Sequence, residues 1–104
     1  MKPIEVNILG KTYHISYVDN PAEVDLYKRE SLWGQIDHWT RTIRIYEKGR
    51  TDADILETLL HEVLHGIAVE LNIKALKGDD AEDIVGLLAL ALADVLARNG
   101  WLRP

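Results

Sequence analysis

A chain of 104 residues, 47% hydrophobic and 28% charged, can bury one core and little more, so no separate substrate domain is expected beside it. Its net charge of -5 argues against nucleic acid or an anionic membrane as the main partner. The absence of cysteine removes disulfides and thiolate ligands, which leaves histidine and carboxylate as the strong metal ligands and makes the cytoplasm the expected compartment.

Met1-Lys2-Pro3-Ile4-Glu5 lacks the apolar stretch of a signal peptide. The run from Ile84 to Ala97 is apolar but interrupted by Asp94, and it falls short of the ~20 residues a membrane span needs. The expectation is a soluble, unprocessed protein folded as one domain over residues 1–104.

Ile4, Val6 and Ile8 alternate, Leu9-Gly10-Lys11 reads as a turn, and Tyr13, Ile15 and Tyr17 alternate again. Period-two patterning on both sides of a glycine-containing connection predicts a hairpin. His14 falls on the face opposite Tyr13 and Ile15 and reads as a solvent-facing strand residue. Asn20-Pro21-Ala22-Glu23 has the order of an N-cap, a first-position proline and an early carboxylate, predicting a short helix that ends before Trp33-Gly34.

Leu32 to Asp37 and Thr42 to Tyr46 read as two strands around His38-Trp39-Thr40-Arg41, with Ile43 and Ile45 on one face and Thr42, Arg44 and Tyr46 on the other. This second hairpin leads directly into the next helix. Strands in that position can hold an extended peptide by edge pairing, so Arg44, Tyr46, His38 and Trp39 are candidate substrate or oxyanion contacts.

Thr51-Asp52-Ala53-Asp54 supplies an N-cap and early acids for a helix reaching about Leu71-Asn72. At about 100° per residue, Leu56, Leu60, Val63, Leu64, Ile67 and Leu71 form its predicted core stripe, while Asp54, Thr58, His61 and His65 share a strip beside it. Within this helix lies His61-Glu62-Val63-Leu64-His65, the H-E-x-x-H pattern. Positions i and i+4 of a helix share a face, so both imidazoles can meet one metal ion, with Glu62 beside the water that such an ion holds. The pattern points to zinc-dependent hydrolysis. Asp54 and Thr58 are candidate supports for the histidines, although Asp54 also suits the helix dipole.

A short connection, Asn72 to Gly78, precedes a second helix from about Asp80 to Asn99, closed by Gly100. So short a link predicts antiparallel helices. No histidine follows His65, so the third ligand is sought among Asp79, Asp80, Glu82 and Asp83. Helical projection puts Ile84, Val85, Leu88, Leu92, Val95 and Leu96 on the core side, Glu82 on its border and Asp83 nearly opposite. Gly86, Ala89 and Ala93 continue the border below Glu82 and would let the helices approach closely. Two readings of Glu82 stand together: a metal ligand, or the second half of a capping box begun by Asp79. Asp80 as the N-cap would free Glu82 for the site.

His61-Glu62-Val63-Leu64-His65 followed by a helical Glu82 resembles the gluzincin-type zinc metallopeptidases. Together with Gly34-Gln35-Ile36-Asp37, Thr42-Ile43-Arg44-Ile45 and Thr58-Leu59-Leu60, residues 32 to 97 are similar to the compact phage and prophage proteins grouped with the ImmA/IrrE metallopeptidases. The resemblance implies an α+β domain with a small mixed or antiparallel sheet of about four strands on two long antiparallel helices. It implies zinc held by His61, His65 and Glu82, Glu62 as the catalytic acid and base, and a peptide or protein substrate. The chain departs from the gluzincin pattern at Gly86, where an acid would often support a histidine. Two other classes fit the same residues: a non-catalytic zinc-containing phage regulatory module that captures a partner, and a structural protein whose zinc pins two helices. Retention of Glu62 argues against the purely structural case, since a closed site has no use for a base.

Overall fold

The computed structural model describes residues 2–27, 32–78 and 80–100. Two strands, β1 (Glu5–Ile8) and β2 (Lys11–Val18), are followed by a single 3-10 turn over Pro21–Glu23, then β3 (Gly34–Asp37) and β4 (Thr42–Tyr46). Helix α1 (Asp52–Leu71), a second 3-10 turn (Lys74–Leu76) and helix α2 (Ala81–Arg98) complete the chain. The architecture is α+β, a four-stranded mixed sheet packed on two long helices.

Both hairpins form as the alternation predicts. The β1–β2 turn places Leu9 at φ 50° and Gly10 at φ 91°, the paired left-handed conformation that suits a tight hairpin, and the Asn7 side chain accepts from the Gly10 N–H at 2.8 Å. Strand order is β1-β2-β4-β3, with β2 and β4 parallel and the other pairs antiparallel. The parallel pairing aligns Ile15 with Ile43 and Tyr17 with Ile45. It brings the two hairpins into one sheet and leaves β3 at an edge.

One face of the sheet carries the core. Ile8, Tyr13, Ile15, Ile43 and Ile45 pack with Ile55 and Leu59 of α1, flanked by Val6, Ile36, Val63 and Ile67. His14 lies on the other face, exposed. Ile4 precedes β1 and is exposed rather than part of the alternating face. The expected helix after Asn20 is confined, among the described residues, to the 3-10 turn, with Asn20 capping the Ala22 N–H at 3.0 Å; residues 28–31 of that expectation lie outside them. Val24 and Asp25 behind the turn are fully buried. Gln35 of β3 ties this segment down, accepting from the Leu26 N–H at 2.8 Å and donating to Asp25 at 3.0 Å.

The helices differ from the expected stripes. In α1 the buried positions are Ile55, Leu59, Glu62, Gly66 and Ala68, while Leu56, Leu60 and Leu64 are half-buried and Leu71 is exposed. The helix turns Ile55, Leu59 and Gly66 to the sheet, where Gly66 allows contact with Ile8 and Ile36. In α2 the buried residues are Ala81, Val85, Ala89 and Ala93. Ala89 and Ala93 of the expected border are thus on the contact face, since two helix axes come closest where side chains are shortest, whereas a Cβ on Gly86 would meet nothing within 4 Å. Ile84, Leu88, Leu92 and Val95, expected in the core, are exposed. No helix among the described residues is long and apolar enough to cross a membrane.

Candidate metal centre

Thr51 caps α1 by accepting from the Asp54 N–H at 3.1 Å, and Asn72 ends it in the left-handed conformation. These limits set the helical register that puts His61 and His65 one above the other, with ring centroids 4.9 Å apart and Nε2 atoms separated by 3.1 Å. On α2 the N-cap position is Asp80, whose side chain makes no capping bond. Asp79, the other capping and ligand candidate, lies outside the described residues, and the Glu82 side chain turns toward α1. Its carboxylate oxygens lie 3.2 Å from His61 Nε2 and 2.6 Å from His65 Nε2.

One ligand atom from each of His61, His65 and Glu82 falls within 4.8 Å of the others. The two imidazoles face different oxygens of the one carboxylate, Oε2 at His61 and Oε1 at His65. The donor set is two imidazoles and a carboxylate, and it can hold a metal ion. The histidine partners sit at the edge of the core, half-buried. Burial holds the His61 pKa below its ordinary value, reinforced by His65 and opposed by Glu82, so near neutral pH its imidazole carries the lone pair that ligation requires. Asp83 is exposed and does not join the cluster.

Glu62 lies one residue from His61 yet is only 7% exposed. Its side chain is pressed against the edge strand: a Cβ on Gly34 would stand 3.0 Å from Glu62 Oε2 and 2.6 Å from Thr58 Cγ2. Only glycine lets β3 come this close. Burial first, and the neighbouring Glu82 second, push the Glu62 pKa up to about 8, while a hydrogen bond with the Ile36 backbone opposes them. Without a cation beside it, the carboxyl is held protonated at neutral pH.

These groups open on a cleft of about 900 Å³ between β3, α1 and the start of α2, whose walls include Trp33, Gly34, Ile36, His38, Arg50 and Ala81. His38 enters the cleft wall with its Nδ1 3.3 Å from the buried Tyr13 hydroxyl, and burial lowers its pKa. Of the other candidate contacts, Trp39 is 91% exposed, and neither it nor Arg44 nor Tyr46 lines the cleft. They belong to the far end of the hairpin or to the opposite face of β4.

Asp54 does not reach the histidines. Its backbone carbonyl accepts from Thr58 Oγ1 at 3.1 Å and Arg50 Nη2 at 3.1 Å. Arg50, which the helix and strand patterns do not single out, is the brace at this end: it also donates to Tyr46 O at 2.7 Å and Thr58 Oγ1 at 2.6 Å, and stacks 4.4 Å over Trp33. That network fixes Thr58 against Gly34 and so seats β3 on α1. No protein-family model, curated protein or solved structure matches this chain.

Proposed function

We propose that this chain is a zinc-dependent metallopeptidase in which His61, His65 and Glu82 hold the ion and Glu62 is the general base and acid. The observation that carries the reading is the pairing of the three-ligand cluster with a buried carboxyl that is not one of the ligands. A purely structural zinc site gains nothing from desolvating a fourth ionisable group beside it. Zinc bound by these residues supplies a Lewis acid that polarises a peptide carbonyl and lowers the pKa of water to about 7.

The chain's own groups do the rest. Glu62 takes a proton from the attacking water as its oxygen adds to the carbonyl carbon, and passes that proton to the amine nitrogen as the C–N bond breaks. Strand β3 is the sheet edge beside the cleft, and alternate residues of an edge strand direct N–H and C=O groups away from the ladder. An extended substrate strand pairs there, with its scissile bond delivered above Glu62. His38, tethered by Tyr13, is the cleft residue suited to donate a hydrogen bond to the carbonyl oxygen as charge builds on it. Trp33 and Arg50 close the cleft at the opposite end.

The test is peptide hydrolysis across a diverse library, followed by mass spectrometry, with zinc-loaded parent and Glu62→Gln. Hydrolysis in the parent and a loss of at least about 10²-fold in the variant, at unchanged zinc content, is the expected result. A zinc-loaded parent that cleaves nothing would move the reading to the non-catalytic, partner-capturing module.

A further inference from the structure

Helix α2 buries Ala81, Ala89 and Ala93 with Val85 and exposes most of its large aliphatic residues. Leu87 is 68% exposed, and Ile84, Leu88, Leu92 and Val95 are each between 37% and 43% exposed. At about 100° per residue these side chains and Ala91 form one continuous stripe, which adjoins, at Leu92, the Ala81–Val85–Ala89–Ala93 face that packs on α1. The stripe has an internal symmetry. About a centre between Ala89 and Leu90, Ile84 exchanges with Val95, Leu87 with Leu92 and Leu88 with Ala91. A helix carrying such a pattern is complementary to its own antiparallel copy, because a two-fold axis through that centre sets each member of the stripe against another member.

Asp80 and Arg98 project to the same margin of the stripe, but within each chain Arg98 is already paired with Asp94 at 2.7 Å, so the case for a second copy rests on area. The area is sufficient. The exposed parts of the five aliphatic residues amount to roughly 450 Å² per chain, which matches the apolar share of the roughly 800 Å² that each partner of a standard interface buries.

We infer that the exposed face of α2 is a homodimer interface, formed by two copies of this chain related by a two-fold axis through the middle of an antiparallel α2 pair. The Glu82 side chain lies on a different face of α2, toward His61 and His65, so both clefts stay open in the dimer. This inference rests on α2 alone and stands whether or not the chain hydrolyses peptides.

Sedimentation of the full zinc-loaded chain gives a species of twice 11.8 kDa at tens of micromolar protein, and Leu88→Glu weakens the association by about 30-fold or more, the loss typical of one central interface residue. Leu88 is exposed, so the variant keeps its helical circular dichroism and its zinc. The chain has no cysteine, which allows a direct test of direction. A mixture of Ile84→Cys and Val95→Cys chains forms a cross-linked dimer on mild oxidation, whereas Ile84→Cys alone does not, because two copies of residue 84 are about 16 Å apart in the antiparallel pair. A monomeric parent overturns the inference. So does a dimer indifferent to Leu88→Glu, or one in which each cysteine variant cross-links only to itself. A monomer whose α2 face becomes accessible to an apolar dye only when residues 101–104 are removed assigns that face to the chain's own end, and likewise overturns it.

Discussion

The burial of Glu62 makes the metal-free protein sensitive to pH in a direction that few carboxylates produce. In the fold its pKa is pushed from 4.5 up to about 8, chiefly by burial, so the folded state binds the proton more tightly than the unfolded chain. Stability from this group is fully present below about pH 4.5 and is lost as pH rises toward 8. His61 and His38 act oppositely, because burial lowers their values from 6.5; their contribution is present above pH 6.5 and lost below it as each pH falls through the lowered value. Asp37 titrates below this range, and Tyr13 and Tyr17 above it. In the window from pH 6.5 to 8 the Glu62 loss is opposed by the tail of the two histidine titrations, which Glu62→Gln retains and so subtracts. At about 1.36 kcal/mol per pH unit, the metal-free parent loses on the order of 2 kcal/mol relative to Glu62→Gln across that window. Glu62→Gln cannot ionise and removes the slope. Urea unfolding of chelator-treated parent and variant at pH 6.5, 7.25 and 8 measures it, through the midpoint at constant m-value. Parallel stability curves for the two proteins would refute the claim that Glu62 is desolvated.

Glu82→Ala lowers zinc affinity by at least about 10-fold while Asp83→Ala leaves it nearly unchanged, as isothermal titration will show, because only Glu82 directs its carboxylate at the histidines. If both variants bind zinc like the parent and Glu82→Ala merely weakens α2, Glu82 is a helix-start residue and not a ligand. Gly34→Ala costs about 1–3 kcal/mol, since its Cβ would meet Thr58 and Glu62, with Thr58 held by Arg50. Gly66→Ala costs less by comparison: its Cβ meets the terminal Cδ1 atoms of Ile8 and Ile36, and alanine gains about 1 kcal/mol in helix propensity. Thermal denaturation ranks the pair, and the reverse order would contradict the packing described for β3.

The parts of the molecule written in short-range pattern were the legible ones. Alternation located both hairpins, the Thr51 cap located α1, and four-residue spacing brought His61 and His65 together. The border position of Glu82 was enough to separate it from Asp83, because a helical projection fixes relative direction without any tertiary information. Where the outcome depended on which element covers which face, the pattern was silent. Helices α1 and α2 are leucine-rich around much of their circumference, so periodicity found apolar faces but could not tell that Ala81, Ala89 and Ala93 would be covered while Leu87 and Leu88 would not. The parallel β2–β4 pairing joins segments far apart in sequence, and no local signal encodes it. Of the two readings of Asp54 the helix-dipole one holds: it shares a helical strip with the histidines, but it stands in the first turn of α1, where Arg50 and Thr58 engage its carbonyl. Gly34 and Arg50 carry meaning only once β3 lies against α1.

X-ray absorption at the zinc edge of protein loaded with one equivalent of zinc tests the centre most directly. The account predicts a single site with two imidazole nitrogens at about 2.0–2.1 Å and low-atomic-number oxygen ligands completing the shell. It also predicts that Glu62→Gln leaves this spectrum unchanged while Glu82→Ala alters it. A shell containing three or more imidazoles, which would have to recruit His38 or His14, or a protein that takes up no zinc, would contradict it.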